Sequence, residues 1–409
     1  MKNSVLRPLT NMSKSDFIGK SSILFFATIL ANVLSLLGII MLTKIYSMEI
    51  LGEFFAVIAI TSVLTILLHA GFIQAIPLMN EEELKVGVSL LTVVSAIVFG
   101  LSLLCLLLSQ YLFVLAMAAA ISNLGALLEI TLIREGRVRF IAAYRIALPI
   151  SSFTLILIYS QSLTVNAYWL ALSYYVGMLL LVLYSATLVL VPLLVKLKPV
   201  QVIKLIRTYN RFPRYIGPGL LFHAAAFNLP IFVGLHYFGG ATISAYTLAY
   251  RFVIAPMNVL GQALGQAYTS KLSQLYRHSN VLKTTFSLDS LLFSLAVIVS
   301  LLIYFIFPWV SQWLFDDNHI QISEYAFALI PLVFSMLSVA PLSNLFQFTN
   351  RQRMILGVQL ITFLSSLASF FIGVLLNSFM TAVVIFSLMT LLKYGWVYFE
   401  IIKVRNGEA

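Results

Sequence analysis

The run SSILFFATILANVLSLLGIIMLT (21–43) decides the fold class of this chain, because it contains no charged side chain. A helix needs about 20 mostly apolar residues to cross the hydrocarbon core of a bilayer. Lys2, Arg7, Lys14 and Lys20 precede the run, as basic residues do in a signal peptide. The run is longer than the apolar region of a signal peptide, which has about 7–15 residues. We therefore predict that it is a first membrane span.

The whole chain has the composition of a membrane protein. Of its 409 residues, 61% are hydrophobic and 10% are charged, whereas soluble domains carry about 25% charged residues. The apolar runs are continuous, which excludes the alternating strands of a membrane barrel. We predict an all-α polytopic membrane protein with twelve transmembrane helices. The predicted spans are 21–43, 53–79, 87–109, 111–133, 140–159, 168–191, 215–237, 245–268, 287–309, 322–346, 354–376 and 379–401.

The positions of lysine and arginine predict the orientation of these spans. With the N-terminus in the cytoplasm, twenty-one of the 25 basic residues fall on the cytoplasmic side, as the positive-inside rule requires. Lys44 falls on the opposite side, and Arg145, Arg251 and Lys393 fall inside spans. Both termini are therefore predicted to face the cytoplasm.

The longest polar stretch divides the chain near its midpoint. We predict an N-terminal six-helix bundle (1–195), a cytoplasmic amphipathic linker (196–214) and a C-terminal six-helix bundle (215–409). Each half has an even number of spans, so both halves enter the membrane with the same orientation. This arrangement predicts a 6+6 parallel pseudo-repeat with a substrate path between the halves.

The linker is expected to lie on the cytoplasmic leaflet, because its apolar and basic residues separate at helical spacing. Lys204, Arg207 and Arg211 fall on its basic side. Two interpretations stay open. The basic residues either hold the linker on anionic membrane lipids and fix topology, or recruit an anionic lipid substrate.

The sequence contains no catalytic signature. It has no P-loop, no G-x-S-x-G, no H-E-x-x-H and no D-x-D-like cluster. Cys105 is the sole cysteine, so it cannot form an internal disulfide or a cysteine-based metal site. We expect no enzymatic activity, no catalytic residue, no bound metal, no cofactor and no nucleic-acid partner.

The ionisable residues inside the spans are the candidate substrate-binding residues. A charge at the bilayer centre is costly, so such groups usually face a hydrated cavity or a partner. Arg251, Lys393 and Arg145 favour a cationic cavity that holds an anionic passenger such as a phosphate. The alternative for each is a side chain that snorkels to the interface or pairs with a carboxylate. Weaker candidates are Lys44, His69, His223 and Asn32.

Three segments resemble a known family. They are LTKIYSMEILGEFFAVIAITSVLTILLHAGFIQAI (42–76), IREGRVRFIAAYRIALPI (133–150) and AYRFVIAPMNVLGQALGQAYTSKLSQL (249–275). The first has a short turn with Gly52 and a Gly71–Phe72 step. Together they resemble the Wzx-type flippases for O-antigen and other lipid-linked oligosaccharides, in the multidrug/oligosaccharidyl-lipid/polysaccharide exporter superfamily.

This resemblance implies transport across the bacterial inner membrane. Such proteins move undecaprenyl-pyrophosphate-linked repeat units of O-antigen, lipopolysaccharide, capsule or exopolysaccharide from the inner to the outer leaflet. It also implies a V of two six-helix bundles around a central cationic cavity, and contact with other polysaccharide assembly proteins. Coupling to H⁺ and coupling to Na⁺ both stay open. Arg251 falls where relatives place a cavity arginine. Relatives often carry cations inside helix 1, whereas this chain has Asn32 there.

Three other functions stay open as alternatives. A cation-coupled multidrug exporter of the same superfamily would need acidic groups deep in its cavity, whereas the carboxylates here lie near span ends. A membrane polysaccharide polymerase would need a large polar loop. A major-facilitator transporter would carry a basic cluster after helix 2, where this chain has the acidic NEEELKVG (80–87).

Overall fold

The computed structural model describes residues 14–161, 166–277, 286–348 and 352–406. These residues form fifteen α-helices and contain no β-strand. A helix suits an apolar environment because it satisfies its backbone N–H and C=O groups internally. The helices are α1 (Lys14–Ile45), α2 (Met48–His69), α3 (Glu81–Cys105), α4 (Gln110–Glu135), α5 (Val138–Ser160), α6 (Ala167–Val189), α7 (Pro199–Thr208), α8 (Gly217–Phe238), α9 (Gly240–Arg277), α10 (Phe286–Phe315), α11 (His319–Ala328), α12 (Ile330–Ser338), α13 (Leu345–Phe348), α14 (Gln352–Leu375) and α15 (Phe379–Asn406).

The helices confirm an all-α polytopic membrane protein. Ten of those in the described ranges are long and apolar enough to cross a membrane, and α11 with α12 makes an eleventh span bent by 45°. Pro331 lies at the start of α12 and lacks the N–H that would continue the hydrogen bonds of α11, which explains the bend. The remaining predicted span, 245–268, lies within α9, which has 38 residues and more polar side chains than the ten.

The chain folds into two compact units. Unit 1 contains Met1–Ile39 and Val57–Leu221, and unit 2 contains Ile40–Ala56 and Phe222–Ala409. The end of α1 and the start of α2 thus pack within unit 2. The sequence-based division into 1–195 and 215–409 did not anticipate this exchange.

Unit 1 is built from helix hairpins, with α3 packed on α4 and α5 on α6. Gly177 of α6 allows a close backbone approach, because a Cβ there would lie 2.6 Å from the carbonyl oxygen of Ser151. Between α4 and α3, Asn123 Nδ2 donates a hydrogen bond of 2.9 Å to Ser95 Oγ. Small residues and a buried polar link therefore hold these helices together.

Unit 2 is held by a cluster of aromatic rings between α9, α11, α14 and α15. Tyr246, Tyr325 and Phe379 meet edge to face, with ring centroids 5.5–6.0 Å apart. Phe370 contacts Phe379 at 5.6 Å and Phe386 at 6.1 Å. All five side chains are buried. Such ring pairs add about 0.5–1.5 kcal/mol each beyond the area that they bury.

The start of α2 contacts the start of α9 through backbone atoms. Gly240 leaves no room for a side chain, because a Cβ there would lie 2.6 Å from the carbonyl oxygen of Glu49. A Cβ on Gly52 would overlap the backbone of Gly240. Ser244 Oγ donates a short hydrogen bond to the Met48 carbonyl oxygen. Two glycines therefore allow this contact within unit 2, which packs 40–56 against α9.

Replacing Gly52 with alanine is expected to destabilise unit 2 by about 1–3 kcal/mol, the usual cost of overpacking. The matched control is Gly395→Ala in α15, where an added Cβ meets nothing within 4 Å. Alanine there should be neutral or stabilising by up to about 1 kcal/mol. Thermal unfolding of both variants in the same detergent measures the difference. Equal melting temperatures for the two variants would contradict the proposed contact.

Candidate functional site

Arg251 of α9 lies against an aromatic ring of unit 2. Its guanidinium carbon is 5.1 Å from the centroid of the Phe55 ring. Phe55 is buried, and Arg251 is half-buried. A guanidinium on an aromatic face gains cation–π energy. This contact positions the arginine, and its role in binding a passenger stays a prediction.

Lys393 of α15 is a buried cation, with 7% of its surface exposed. Its Nζ donates a 2.8 Å hydrogen bond to Thr362 Oγ1 and lies 4.0 Å from the centroid of the Tyr394 ring. In the part of the chain that the structure describes, no ion pair joins Lys393 to a carboxylate. A buried charge that lacks an opposite charge is costly, which makes Lys393 the most informative candidate.

Lys393 lies in a seam of buried hydroxyl groups on α14 and α15. On α14, Thr362, Ser366 and Ser369 recur at helical spacing, and on α15 Ser387 and Thr390 precede Lys393 by six and three residues. Among the described residues, Ser387 Oγ and Thr390 Oγ1 have no hydrogen-bond partner. We call these five residues and Lys393 the hydroxyl seam. Sequence reasoning missed it, although the serine and threonine spacing was a visible signal.

Arg145 of α5 is an ion-paired residue of unit 1. Its Nε donates a 2.8 Å hydrogen bond to Glu129 Oε1, and its Nη2 forms a short contact with the same oxygen. Its Nη1 donates to Thr28 Oγ1 at 2.6 Å. The carboxylate compensates the charge of Arg145, so the geometry matches the alternative of a paired arginine more closely than that of a cavity cation. A role in substrate binding stays a prediction.

The two candidate histidines have local partners. His69 is buried, and its Nδ1 accepts a 3.0 Å hydrogen bond from the backbone N–H of Gly71. Gly71 has φ +80°, so His69 stabilises the left-handed turn that ends α2. His223 Nδ1 lies 3.0 Å from Gln359 Oε1. Both histidines thus have a structural partner, and their role in substrate binding stays a prediction.

Asn32 and Lys44 lie on α1. Asn32 Nδ2 donates a 3.0 Å hydrogen bond to the carbonyl oxygen of Thr28, one turn earlier on the same helix. Lys44 is exposed in the last turn of α1. The structure thus places Arg251, Lys393, His223 and Lys44 in unit 2, and Arg145, His69 and Asn32 in unit 1. Within the described residues, no group of three or more His, Cys, Asp or Glu residues could hold a metal ion.

No protein-family model and no curated protein matches the chain. Solved structures do match it over almost its full length. The lipid II flippase MurJ in an inward closed conformation matches with a TM-score of 0.70 at 14% identity, over 94% of this chain and 87% of that one. The chain shares its fold with that structure. A multidrug resistance MATE family transporter of the MOP superfamily, in an inward-facing conformation, matches at 0.64 and 14% identity, covering 96% and 99%.

A third transporter structure also matches the chain. A MOP superfamily transporter from Pyrococcus furiosus, described as having a binding pocket of reversed polarity, matches at 0.59 and 15% identity, covering 99% of both chains. The three similar structures are of transport proteins, and the absence of enzymatic activity stays an expectation for this chain. Identities this low show the fold, and the resemblance to Wzx-type flippases in particular stays a prediction.

Unit 2 also contains a buried ion pair that sequence reasoning missed. Arg405 Nη1 and Nη2 donate to Asp289 Oδ2 and Oδ1 at 2.5 and 3.0 Å. Tyr268 Oη accepts from Arg405 Nη2 at 2.9 Å, and the Tyr398 hydroxyl donates to Asp289 Oδ2 at 3.2 Å. Arg405 and Asp289 are each 3% exposed. Arg405 follows the last predicted span, and Asp289 lies near the start of the predicted span 287–309. These positions did not indicate that the two side chains would pair.

Proposed function

We propose that the chain is a flippase for undecaprenyl-pyrophosphate-linked oligosaccharide repeat units. It moves them from the inner to the outer leaflet of the bacterial inner membrane by alternating access. The oligosaccharide belongs to an O-antigen, a capsule or an exopolysaccharide, and the units are delivered to other polysaccharide assembly proteins. Similarity to a lipid II flippase supports a lipid as the cargo.

The single observation that carries this proposal is the environment of Lys393. A buried ammonium with one hydroxyl partner, and no carboxylate partner in the described ranges, has unused capacity to bind an anion. Ser387 and Thr390 of the hydroxyl seam supply further donors to phosphate or sugar oxygens. Arg251 adds a second cation within unit 2. A pyrophosphate carries the negative charge that such a lining favours.

Cation-coupled multidrug export is the second candidate function. Similarity to MATE transporters favours it. Such an exporter would bind its coupling ion or cationic drug through acidic groups. In the described residues, Glu129 is paired with Arg145 and Asp289 with Arg405. The interior carboxylates are therefore already neutralised, which favours the flippase.

Deleting the gene in its bacterial host separates the two functions. The flippase proposal expects undecaprenyl-linked glycan to accumulate on the inner leaflet and surface glycan to fall. Complementation with the full chain should restore the surface glycan. Normal surface glycan together with altered drug or dye resistance would support the exporter instead.

Replacing Arg251 with glutamine is expected to slow glycan export about 10- to 100-fold, because a charge-assisted hydrogen bond is worth about 1.5–3 kcal/mol. Arg251→Lys should recover only part of this loss, since lysine lacks the planar donors. The matched control is Arg137→Gln, which removes an arginine that is half exposed and paired with Glu135. Surface glycan is measured at equal protein level. Wild-type export in Arg251→Gln would remove this residue from the mechanism.

A further inference from the structure

A second cationic site lies in unit 1, apart from the residues proposed to hold the passenger. It is a pocket of about 390 Å³ between the start of α3 and the segment that joins α6 to α7. Four lysines line it, Lys85, Lys196, Lys198 and Lys204. All four lie on the side predicted to be cytoplasmic. The proposed function does not use this pocket.

Hydrogen bonds fix the walls of the pocket. Asn80 and Glu83 form a capping box at the start of α3. The Tyr209 hydroxyl, at the end of α7, donates to Glu83 Oε2 at 2.9 Å. The backbone N–H of Val195 donates to Ser89 Oγ at 2.9 Å. Val195 before α7 and Tyr209 after it are therefore both attached to α3, and the pocket has a defined shape.

The Tyr209 hydroxyl keeps its proton throughout the physiological pH range. Burial, followed by the hydrogen bond to Glu83 and the charge of that carboxylate, raises the pKa of Tyr209 to about 12. The neutral hydroxyl can therefore donate to Glu83 at neutral pH.

The lining of the pocket has an excess of positive charge. Glu82 and Glu83 are its two carboxylates, against four lysines. Glu83 already accepts hydrogen bonds from Tyr209 and from the backbone of Asn80. Across the described ranges, no ion pair joins any of the four lysines to a carboxylate. Their ammonium groups are exposed and available to an anion.

The exposed side chains of α7 indicate that this pocket lies at the level of lipid headgroups. Leu205 is buried, and it attaches the helix to unit 1. Val200, Ile203 and Ile206 recur every three residues and are exposed by 77%, 50% and 41%. An exposed apolar side on a short basic helix is typical of a helix that lies in the membrane interface. Lys204 and Gln201, on the adjoining side of α7, line the pocket.

We propose that this pocket binds the phosphate of an anionic phospholipid from the leaflet on which α7 lies. Lysines act as compact point charges for phosphate, and basic pockets at the cytoplasmic ends of membrane helices bind anionic headgroups. The acyl chains of that lipid would extend beside Val200 and Ile203. The bound lipid then holds the segment between α6 and α8 against the membrane surface.

The test measures lipid binding to the purified full-length chain by native mass spectrometry. The probes are phosphatidylglycerol, zwitterionic phosphatidylcholine, and soluble glycerol 3-phosphate as a headgroup without acyl chains. Lys198→Gln/Lys204→Gln removes two pocket lysines. Arg207→Gln/Arg211→Gln removes the same charge from the same segment, from residues that do not line the pocket. The proposal expects the lysine pair to weaken phosphatidylglycerol binding about 30-fold, and the arginine pair to weaken it no more than about threefold.

Each other outcome overturns the proposal. Equal losses in the two double variants would show attraction to a diffuse basic surface. Equal binding of phosphatidylcholine and phosphatidylglycerol would show a site that does not distinguish lipids by the charge of the headgroup. Binding of glycerol 3-phosphate as tight as that of phosphatidylglycerol would show a site for a free phosphate. If the lysine pair does not fold, Lys85→Gln on α3 is measured in its place, with an expected loss of about fivefold, and wild-type binding in that variant would be contradictory.

Discussion

Asp289→Asn is expected to lower the free energy of unfolding by about 3–5 kcal/mol, the largest stability effect that we predict. The carboxylate accepts two hydrogen bonds from the buried guanidinium of Arg405 and one from Tyr398. Removing its charge leaves a positive Arg405, which is only 3% exposed, without an opposite charge. A buried charge that loses its partner carries an uncompensated desolvation cost of this size.

The matched control for Asp289→Asn is a surface ion pair. Arg137 and Glu135 form one at 2.8 Å with half of the arginine exposed, so Arg137→Gln should cost less than about 1 kcal/mol. Replacing both buried partners, as Asp289→Leu/Arg405→Met, should recover most of the lost stability because no charge is then left alone. Denaturation in one detergent compares the three variants. A cost below 1 kcal/mol for Asp289→Asn would contradict the buried pair.

Lys393→Met is expected to change stability and transport in opposite directions. Methionine has nearly the volume of lysine and no charge to desolvate, so stability should stay unchanged or rise by about 1 kcal/mol. If Lys393 binds the anionic head of the passenger, transport should fall about 30-fold or more, because a buried charge in a binding site contributes about 2 kcal/mol or more.

The control for Lys393→Met lies about three turns further along α15. Lys403 pairs with Glu400 at 2.9 Å and is 38% exposed, so Lys403→Met should leave glycan export near the wild-type level. Export and thermal unfolding are measured on the same preparations. Loss of stability and export together would mean that Lys393 is structural. Unchanged export with unchanged stability would leave the ammonium without a transport role.

The positions of the helices could be predicted because a membrane span leaves a continuous local signal. Few polar residues separate the predicted spans 87–109 and 111–133. The structure nevertheless has a break there, because α3 ends at Cys105 and α4 begins at Gln110. The predicted span 322–346 overlaps α11 and includes α12, and these two helices form a bent pair. Its bend follows from Pro331, which was visible in the sequence, although the angle depends on packing.

The partners of the charged side chains could not be predicted, because they come together over long separations in the chain. Asp289 and Arg405 are 116 residues apart, and Arg145 and Thr28 are 117 apart. A hydropathy pattern records that a residue is charged and inside a span, not which element faces it. The packing of 40–56 within unit 2 has the same origin, since it depends on the close approach of two glycines that are distant in the sequence.

The most direct measurement of the central claim uses purified protein in liposomes that contain undecaprenyl-pyrophosphate-linked oligosaccharide in one leaflet. An impermeant glycosidase on the opposite side reports each headgroup that crosses. The account predicts glycan cleavage that requires the protein, falls strongly in Lys393→Met and persists in Lys403→Met. Cleavage no faster than in protein-free liposomes, under either a proton or a sodium gradient, would contradict it.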